Sequence, residues 1–356
     1  MTITLDKPIN SIKPPKPWAK RNKSTVVNNA IAVILPTVVL GILFFTTEIP
    51  GPVLVVVVFF PLQLLTAGVT SFMDKGKRGI GDSLLSVGCV SAFGLVVALL
   101  GSVVLSVIAR GLPAMKFNFL FQNNIYISPT TELTYGGIGH ALLGTLLVVF
   151  IASIIAVPLG IASAIYITDI KGRAAGFVRF MVQAMSGVPS IVAGLFIFAA
   201  VILTDVVGFS AIAGGLAYAI LMLPTVARTA EEVLRLVPKE VRDAAVALGS
   251  SRARVTMRIV LPTAKTGLIT AVVLGVARII GETAPLLLTT SNANNTNLNP
   301  FRDPVSTIPV YIFQYLGSGY QTSIQRAWGA ALVLLLAVAI LFALTRYLSR
   351  NKKGKV

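Results

Sequence analysis

A basic and an acidic residue stand four positions apart in an otherwise apolar segment of this 356-residue chain. They are Arg278 and Glu282, in the run Ala277-Arg-Ile-Ile-Gly-Glu-Thr-Ala-Pro-Leu-Leu287. If 266–289 is one membrane helix, Arg278 lies about 12 residues, or ~18 Å, from its start and near the membrane centre, with Glu282 on the same face. An arginine there costs ~2.5–3.5 kcal/mol on insertion scales, so such charges usually line an interior pathway.

The chemistry that these two charges predict is the binding of an oxyanion. A guanidinium suits an oxyanion because it stays charged and donates hydrogen bonds in a planar fork. Glu282 would moderate that charge, so that the anion is attracted without being trapped. The alternative is a structural ion pair, within the helix or to a partner subunit, that touches no substrate.

A second apolar run contains two hydroxyl side chains, Ser186 and Ser190, that could add hydrogen-bond donors to the same pathway. The competing interpretation, which we favour from the sequence, is apolar helix packing in which the serines bond to backbone carbonyls. Pro189 and Gly194 in this run predict helix bending and close packing.

The polar loop 229–262 lies between apolar segments and predicts a chain of short helices. Thr229-Ala-Glu-Glu232 fits a capping box, which marks a helix start. Pro238 suits the start of a second helix, and Gly249 suits a left-handed end of that helix. Ser250 or Ser251 can cap a third helix, a basic one that carries Arg252, Arg254 and Arg258 back to the membrane.

The second of these helices has a small apolar stripe that predicts docking to a partner. Two alanines in the stripe permit close backbone approach. The stripe consists of Val241, Ala244, Ala245 and Leu248, at the i, i+3, i+4, i+7 spacing of one helix face. The alternative is an amphipathic helix resting on lipid headgroups.

Other motifs predict no catalytic residue and no metal site. Gly79-Ile-Gly-Asp82 fits the pattern of intramembrane aspartyl proteases, but no second carboxylate lies in a neighbouring span to share a proton. The chain has no Gly-x4-Gly-Lys-Ser/Thr loop, so it binds no ATP through a Walker A motif. His140 is the only histidine and by itself is no metal site.

Composition places these residues in a helical membrane protein. The chain is 55% hydrophobic and 12% charged, with a mean hydropathy of +0.85, and Cys89 alone excludes an intrachain disulfide. Long apolar runs are typical of polytopic membrane proteins. We predict eight spans, near 27–47, 52–72, 86–109, 140–168, 177–204, 209–226, 266–289 and 327–348. The stretch 209–226 is the weakest, because it is short and Pro224 predicts a kink or stop.

The distribution of basic residues predicts the orientation of the spans. The net charge of +17 would suggest nucleic acid in a soluble protein, but lysine and arginine also crowd the cytoplasmic loops of membrane proteins. With the N-terminus inside, 25 of the 30 Lys and Arg residues fall in inside segments and four fall outside. We therefore predict cytoplasmic N- and C-termini, no nucleic-acid partner, and outside loops near 110–138 and 290–326.

The spacing in the polar loop is similar to the coupling signature of ATP-binding-cassette (ABC) importer permeases, EAA-x3-G-x9-I-x-LP. The residues in register are Asp243, Ala244, Ala245, Gly249, Ile259, Leu261 and Pro262. Asp243 replaces the usual Glu, which keeps the charge and shortens its reach. The runs Ser186–Phe196, Ala277–Leu287 and Ile308–Tyr311, with Gly136-Gly-Ile-Gly before the fourth span, resemble phosphate-importer permeases of the PstA type over about 84–348.

The resemblance implies an all-α fold, the transmembrane domain of a type I ABC importer. Its six-span core would occupy 76–356, with the coupling loop at 229–262, after a basic tail at 1–26 and an additional hairpin at 27–75. The implied partners are a cytoplasmic ABC ATPase dimer, a second PstC-like permease subunit, an extracytoplasmic phosphate-binding protein and membrane lipid.

The resemblance also implies that this chain is not itself catalytic and binds no cofactor, while ATP and Mg²⁺ are used by the ATPase. The implied location is the plasma (inner) membrane of a prokaryote, with Arg278, Glu282, Ser186 and Ser190 along the substrate pathway. Two alternatives stay open. One is a permease for another oxyanion or an organic solute, and the other is a membrane enzyme or scaffold that recruits a soluble partner through the same loop.

Overall fold

The computed structural model describes residues 23–47 and 51–350, and this part of the chain is helical with no strand. The predicted basic tail falls largely on 1–22, outside the described residues, as do 351–356. The chain divides into two compact units, Met1–Val103 and Val104–Val356.

The first unit contains the long apolar helices α1 and α3, the short helix α2 and most of α4. In it, α1 packs along α3, and the hydroxyl of Thr66 donates a hydrogen bond to the carbonyl oxygen of Ala32 at 3.1 Å. A π-helical turn joins α2 to α3. The helices are α1 (Lys23–Thr46), α2 (Gly51–Leu54), α3 (Phe60–Lys75) and α4 (Lys77–Gly111), of which α4 continues into the second unit.

The second unit is arranged around one central helix, α8. It packs against α5, α6, α7, α11 and α12, and 67% of its most apolar window is buried. The helices are α5 (Gly139–Ile165), α6 (Ala175–Ser186), α7 (Ser190–Ile197), α8 (Ala211–Arg235), α9 (Lys239–Ala247), α10 (Arg252–Val255), α11 (Leu261–Ile279), α12 (Ala284–Thr289), α13 (Ile308–Leu316) and α14 (Gln321–Arg350). π-Helical turns extend α5 to Ile170 and α7 to Ile202, and a third joins α10 to α11 without a break.

The apolar helices match most of the predicted spans. Six described helices are long and apolar enough to cross a membrane, and the pair α6 and α7 makes a seventh if it counts as one bent span. These correspond to seven of the eight predicted stretches. The first stretch, 27–47, coincides with α1, whose apolar part Ala30–Thr46 is shorter than the others.

Two predicted boundaries around α8 are wrong. Pro224 does not stop the helix, which runs on to Arg235. The predicted capping box 229–232 therefore lies inside α8, and no helix starts there. The reason is tertiary packing. Val226, Ala230 and Leu234 are fully buried on one side of α8, and this buried stripe favours continuation over the local start signal.

The predicted span at 266–289 is also wrong in its bounds. A continuous helix runs from Arg252 to Ile279 and is followed by a non-helical break before α12 begins at Ala284. Pro285, in the first turn of α12, has no amide to donate to the carbonyl of Gly281, so a helix that continued through this stretch would lose that hydrogen bond.

The predicted bend around Pro189 is confirmed. α6 ends at Ser186, α7 starts at Ser190, and the two helices meet at an angle of 102°. Pro189 has an extended ψ of 139° at the head of α7. The chain therefore turns sharply here because proline lacks an amide donor and restricts its neighbour.

Candidate functional site

The guanidinium of Arg278 lies in the last turn of α11 and faces the middle of α8. Its Nη1 donates a hydrogen bond to Oγ1 of Thr225 at 2.7 Å, and the side chain is otherwise exposed in this chain. No carboxylate in the described part of the chain forms an ion pair with it. Arg278 therefore has guanidinium donors that are not used by protein acceptors.

Glu282 does not lie on the same helix face as Arg278, which corrects the prediction from the i, i+4 spacing. It stands in the break after α11 and forms no ion pair with Arg278. Its backbone carbonyl accepts a hydrogen bond of 2.5 Å from the hydroxyl of Tyr218, which is buried on α8. Tyr218 and Thr225 are seven residues apart, so one face of α8 holds both ends of this segment.

The two predicted serines differ in their surroundings. Ser186 ends α6, and its hydroxyl donates to the carbonyl of Val182 at 3.0 Å, as expected for a serine satisfied by its own helix. Ser190 starts α7, is half-buried, and forms no side-chain hydrogen bond within the described residues. Of the two, Ser190 has the hydroxyl free to meet another molecule.

Close packing joins the two broken regions. α7 packs against α12, and a Cβ placed on Gly194 would lie 2.5 Å from Cα of Pro285. Gly194 is one helical turn beyond Ser190, and Pro285 is three residues beyond Glu282. The predicted packing role of Gly194 is confirmed, since no larger residue fits at this contact without a shift.

The predicted short helix with a glycine end is present as α9. Pro238 precedes its first residue, and Gly249 has a φ of +85°. The hydroxyl of Ser251 then accepts a hydrogen bond from the amide of Arg254 at 3.4 Å and caps the next helix. These local predictions are confirmed. The sequence was sufficient for them because each depends on the conformational preference of one residue.

The apolar stripe of α9 divides into a buried and an exposed part. Ala245 is 7% exposed and packs beside Leu234 and Val255. Ala244 is exposed, Val241 is 43% exposed and Leu248 is 88% exposed. Apolar side chains left open around a polar loop are typical of an interaction surface.

The remaining motif residues frame this surface. Asp243 is exposed, Ile259 and Leu261 are half-buried against the core that holds Ala245, and Pro262 is exposed at the start of α11. The motif therefore supplies two kinds of residue. Some fix α9 to the helices behind it, and the others stay available at the surface.

Sequence reasoning missed an ion pair that holds α9. Arg242 Nη1 pairs with Oδ1 of Asp169, which lies in the π-helical turn that extends α5. Arg242 Nη2 donates a hydrogen bond to the carbonyl of Leu234 at 2.5 Å. Burial lowers the pKa of the Arg242 guanidinium, which nevertheless stays charged at neutral pH. A single acidic residue after an apolar span gave no sequence signal for a contact 73 positions away.

A second ionic cluster lies beside the first. Glu231 on α8 accepts hydrogen bonds from Arg179 on α6 at 2.9 Å and from Arg235 at 2.5 Å. Glu231 belongs to the sequence that resembled a capping box, and it ties α8 to α6 instead. A cleft of about 280 Å³ lies among these side chains, and another of about 910 Å³ lies under α9.

Comparison with known proteins identifies the family. Residues 156–354 match the family model described as "Binding-protein-dependent transport system inner membrane component". The chain belongs to this family. Phosphate transport system permease protein PstA 1 of Mycobacterium tuberculosis is 37% identical over 305 residues, which cover 83% of this chain and 95% of that protein.

Two further relatives are also named as phosphate transport system permease proteins. PstA of Mycobacterium leprae is 42% identical over 65% of this chain and 77% of its own length. PstA of Haemophilus influenzae is 34% identical over 70% of this chain and 87% of its own length. The chain is accordingly a multi-pass permease subunit of an ABC importer, in which a separate subunit hydrolyses ATP and a substrate-binding protein belongs to the system.

In residues 23–47 and 51–350, no group of three or more His, Cys, Asp or Glu is placed to hold a metal ion. Arg278 lies beside α8 and Glu282 lies in the break before α12, whereas the motif residues lie around α9.

Proposed function

We propose that this permease carries inorganic phosphate into a prokaryotic cell across the plasma membrane. The curated relatives are named as phosphate transport permeases. The observation on this chain that carries the proposal is the exposed guanidinium of Arg278, held by Thr225 and without a carboxylate partner in the described residues. An arginine with free donors in an apolar segment recognises an oxyanion by charge and by paired hydrogen bonds.

In this proposal Arg278 binds phosphate, and Ser190 contributes a hydroxyl from the head of α7. Ser186 has a weaker claim because its hydroxyl already bonds to Val182. Glu282, in the break after α11, limits affinity by adding negative charge near the anion rather than by pairing with Arg278. Binding has to be weak enough for release, because a pathway must let its substrate leave.

Energy enters through α9 in the proposed cycle. The exposed part of the motif, including Asp243, Ala244 and Gly249, contacts a cytoplasmic ABC ATPase dimer. The dimer closes on ATP and Mg²⁺, and the permease turns outward to receive phosphate from an extracytoplasmic binding protein. Reopening after hydrolysis releases phosphate inward, a rigid-body change between two states.

The proposed assembly contains a second, PstC-like permease subunit beside this one. Both termini of this chain lie in the cytoplasm, as the distribution of basic residues indicates. The six-span core occupies 76–356, the hairpin 27–75 adds two spans, and 1–26 forms a basic tail. No cofactor is bound by this chain.

The deciding experiment is ATP hydrolysis by the reconstituted complex in lipid vesicles, with phosphate-loaded or sulfate-loaded binding protein. We expect hydrolysis and uptake to rise with phosphate alone. A rise with sulfate or an organic solute would assign the permease to that substrate. A permease that does not copurify with any ABC ATPase would refute the importer role and favour a scaffold.

A further inference from the structure

The carboxylate of Asp169 joins elements from three parts of the chain. Asp169 lies in the π-helical turn that ends the fifth helix, and its side chain is 6% exposed. Its Oδ1 pairs with Arg242 of α9, and its Oδ2 accepts a hydrogen bond of 3.0 Å from the hydroxyl of Thr256. Thr256 lies in the π-helical turn that leads into α11.

Arg242 extends the same network to the central helix. Its Nη2 donates to the carbonyl of Leu234 at 2.5 Å, in the last turn of α8. A cation is favoured there because the last carbonyls of a helix are unpaired and carry the negative end of its dipole. One arginine on α9 therefore binds the ends of α5 and α8, and Asp169 passes the link to the start of α11.

α9 buries little of its own surface against the membrane helices. The helix has nine residues, and Ala245 is its one buried residue. A helix of this length is marginal without tertiary contacts, and an alanine methyl buries little apolar area. The Asp169–Arg242 pair therefore supplies the directional part of the attachment, since an arginine and a carboxylate interact only over a narrow range of geometry.

We propose that Asp169 and Arg242 are positioning residues that transmit movement of α9 to α5, α8 and α11. The inference rests on the proposed function, because α9 is taken to be the helix that the ATPase moves. A link that only held the fold together would affect assembly. A link that transmits movement affects how much substrate is carried per ATP hydrolysed.

The test compares Asp169→Asn, Arg242→Gln and the double variant in the reconstituted complex, with Glu240→Gln as the control. Glu240 is an exposed carboxylate on the same helix with no ion pair in the described residues. We measure copurification with the ATPase, ATP hydrolysis, and phosphate carried per ATP. Each single variant is expected to keep ATPase binding and to lower phosphate per ATP about tenfold or more, as when one member of a buried pair is removed.

The double variant tests whether the pair acts as a unit. Its loss should equal that of the worse single variant, because coupled residues are non-additive. Unchanged phosphate per ATP in both single variants, or effects that multiply in the double variant, would overturn the proposal. If Asp169→Asn does not assemble, Thr256→Val removes the hydroxyl that is shared between Asp169 Oδ2 and the carbonyl of Arg252 in its own helix, and leaves the ion pair. We expect it to lower the ratio about threefold. An unchanged ratio in that variant would equally overturn the proposal.

This result is separable from the proposed function. If the wild-type complex responds to a different solute, the same ratio is measured for that solute and the positioning role is tested as before. If the wild-type complex responds to phosphate and the variants keep the wild-type ratio, the transport function stands and only the role of Asp169 and Arg242 is refuted.

Discussion

At the residue scale, Arg278 and Glu282 do not lie together as their four-residue spacing in the sequence predicts. Four positions on a continuous helix would place the two charges together, and much of the positive charge of Arg278 would then be neutralised. Because α11 ends at Ile279, the guanidinium bonds to Thr225 while the main chain of Glu282 bonds to Tyr218. Arg278 therefore keeps its charge available to an anion, which a tight ion pair would not allow.

Replacing Arg278 by alanine is expected to lower phosphate uptake roughly 100-fold or more, the size of effect seen when a charged recognition group is removed. Arg278→Lys keeps the charge without the planar fork and should retain part of the uptake. Uptake of radiolabelled phosphate in vesicles measures both variants, after copurification with the ATPase shows that they assemble. Wild-type uptake by Arg278→Ala would contradict the pathway role.

Gly249 offers a second prediction at this scale, because its φ of +85° disfavours any residue with a Cβ. A Cβ at this position would meet no atom within 4 Å, so the effect of substitution is conformational rather than steric. Gly249→Val should weaken copurification with the ATPase, while Gly249→Asn, which tolerates this region better, should weaken it less. If both variants copurify with the ATPase as well as the wild-type chain does, the turn does not position the exposed residues of α9 for docking.

At the element scale, two non-helical segments adjoin the packed helices α7 and α12. They are the bend between α6 and α7 and the break between α11 and α12. Backbone groups in such breaks are not all bonded within a helix, and inside membranes they are tolerated where they are buried in protein or line a cavity. Gly194 allows α7 and α12 to approach closely enough to hold this arrangement.

Substituting Gly194 by valine is therefore expected to push α7 away from α12, at a cost of about 1–3 kcal/mol in stability. Thermal unfolding in detergent should show a lower midpoint, and phosphate uptake should fall with it. Gly176→Val is the matched control, since it adds the same side chain at a helical glycine where a Cβ meets nothing within 4 Å. A midpoint for Gly194→Val equal to that of the control would mean that the contact is not tight.

At the scale of the whole molecule, the proposed function requires the exposed residues of α9 to lie on one side of the membrane. The loops before α5 and after α12 must then lie on the other side. The distribution of lysine and arginine predicts that α9 faces the cytoplasm. The ATPase needs this orientation, because ATP is supplied on that side. The two compact units each contain apolar helices, and the residues that we propose for coupling and for anion binding all belong to the second unit.

The single cysteine makes the orientation testable. Cys89→Ser gives a cysteine-free chain, into which one cysteine is placed at Ser250 or at Asn297. A membrane-impermeant maleimide added to intact cells should label Asn297→Cys and leave Ser250→Cys unlabelled until the membrane is opened. The reverse pattern would place α9 outside and exclude its contact with a cytoplasmic ATPase.

The sequence by itself determined the helical class, most of the spans and the position of the coupling motif. These features depend on runs of apolar residues and on single residues, such as Pro189 and Gly249, whose own backbone preferences decide the local structure. Only the tertiary structure decided that α8 continues through Pro224, that the chain breaks after Ile279, and that Asp169 meets Arg242. The continuation of α8 and the Asp169–Arg242 pair depend on contacts between residues far apart in the chain, whereas a sequence pattern reports only the neighbours along one helix. The break is compatible with the local effect of Pro285, but the apolar run across it gave no sign of where the helix would end.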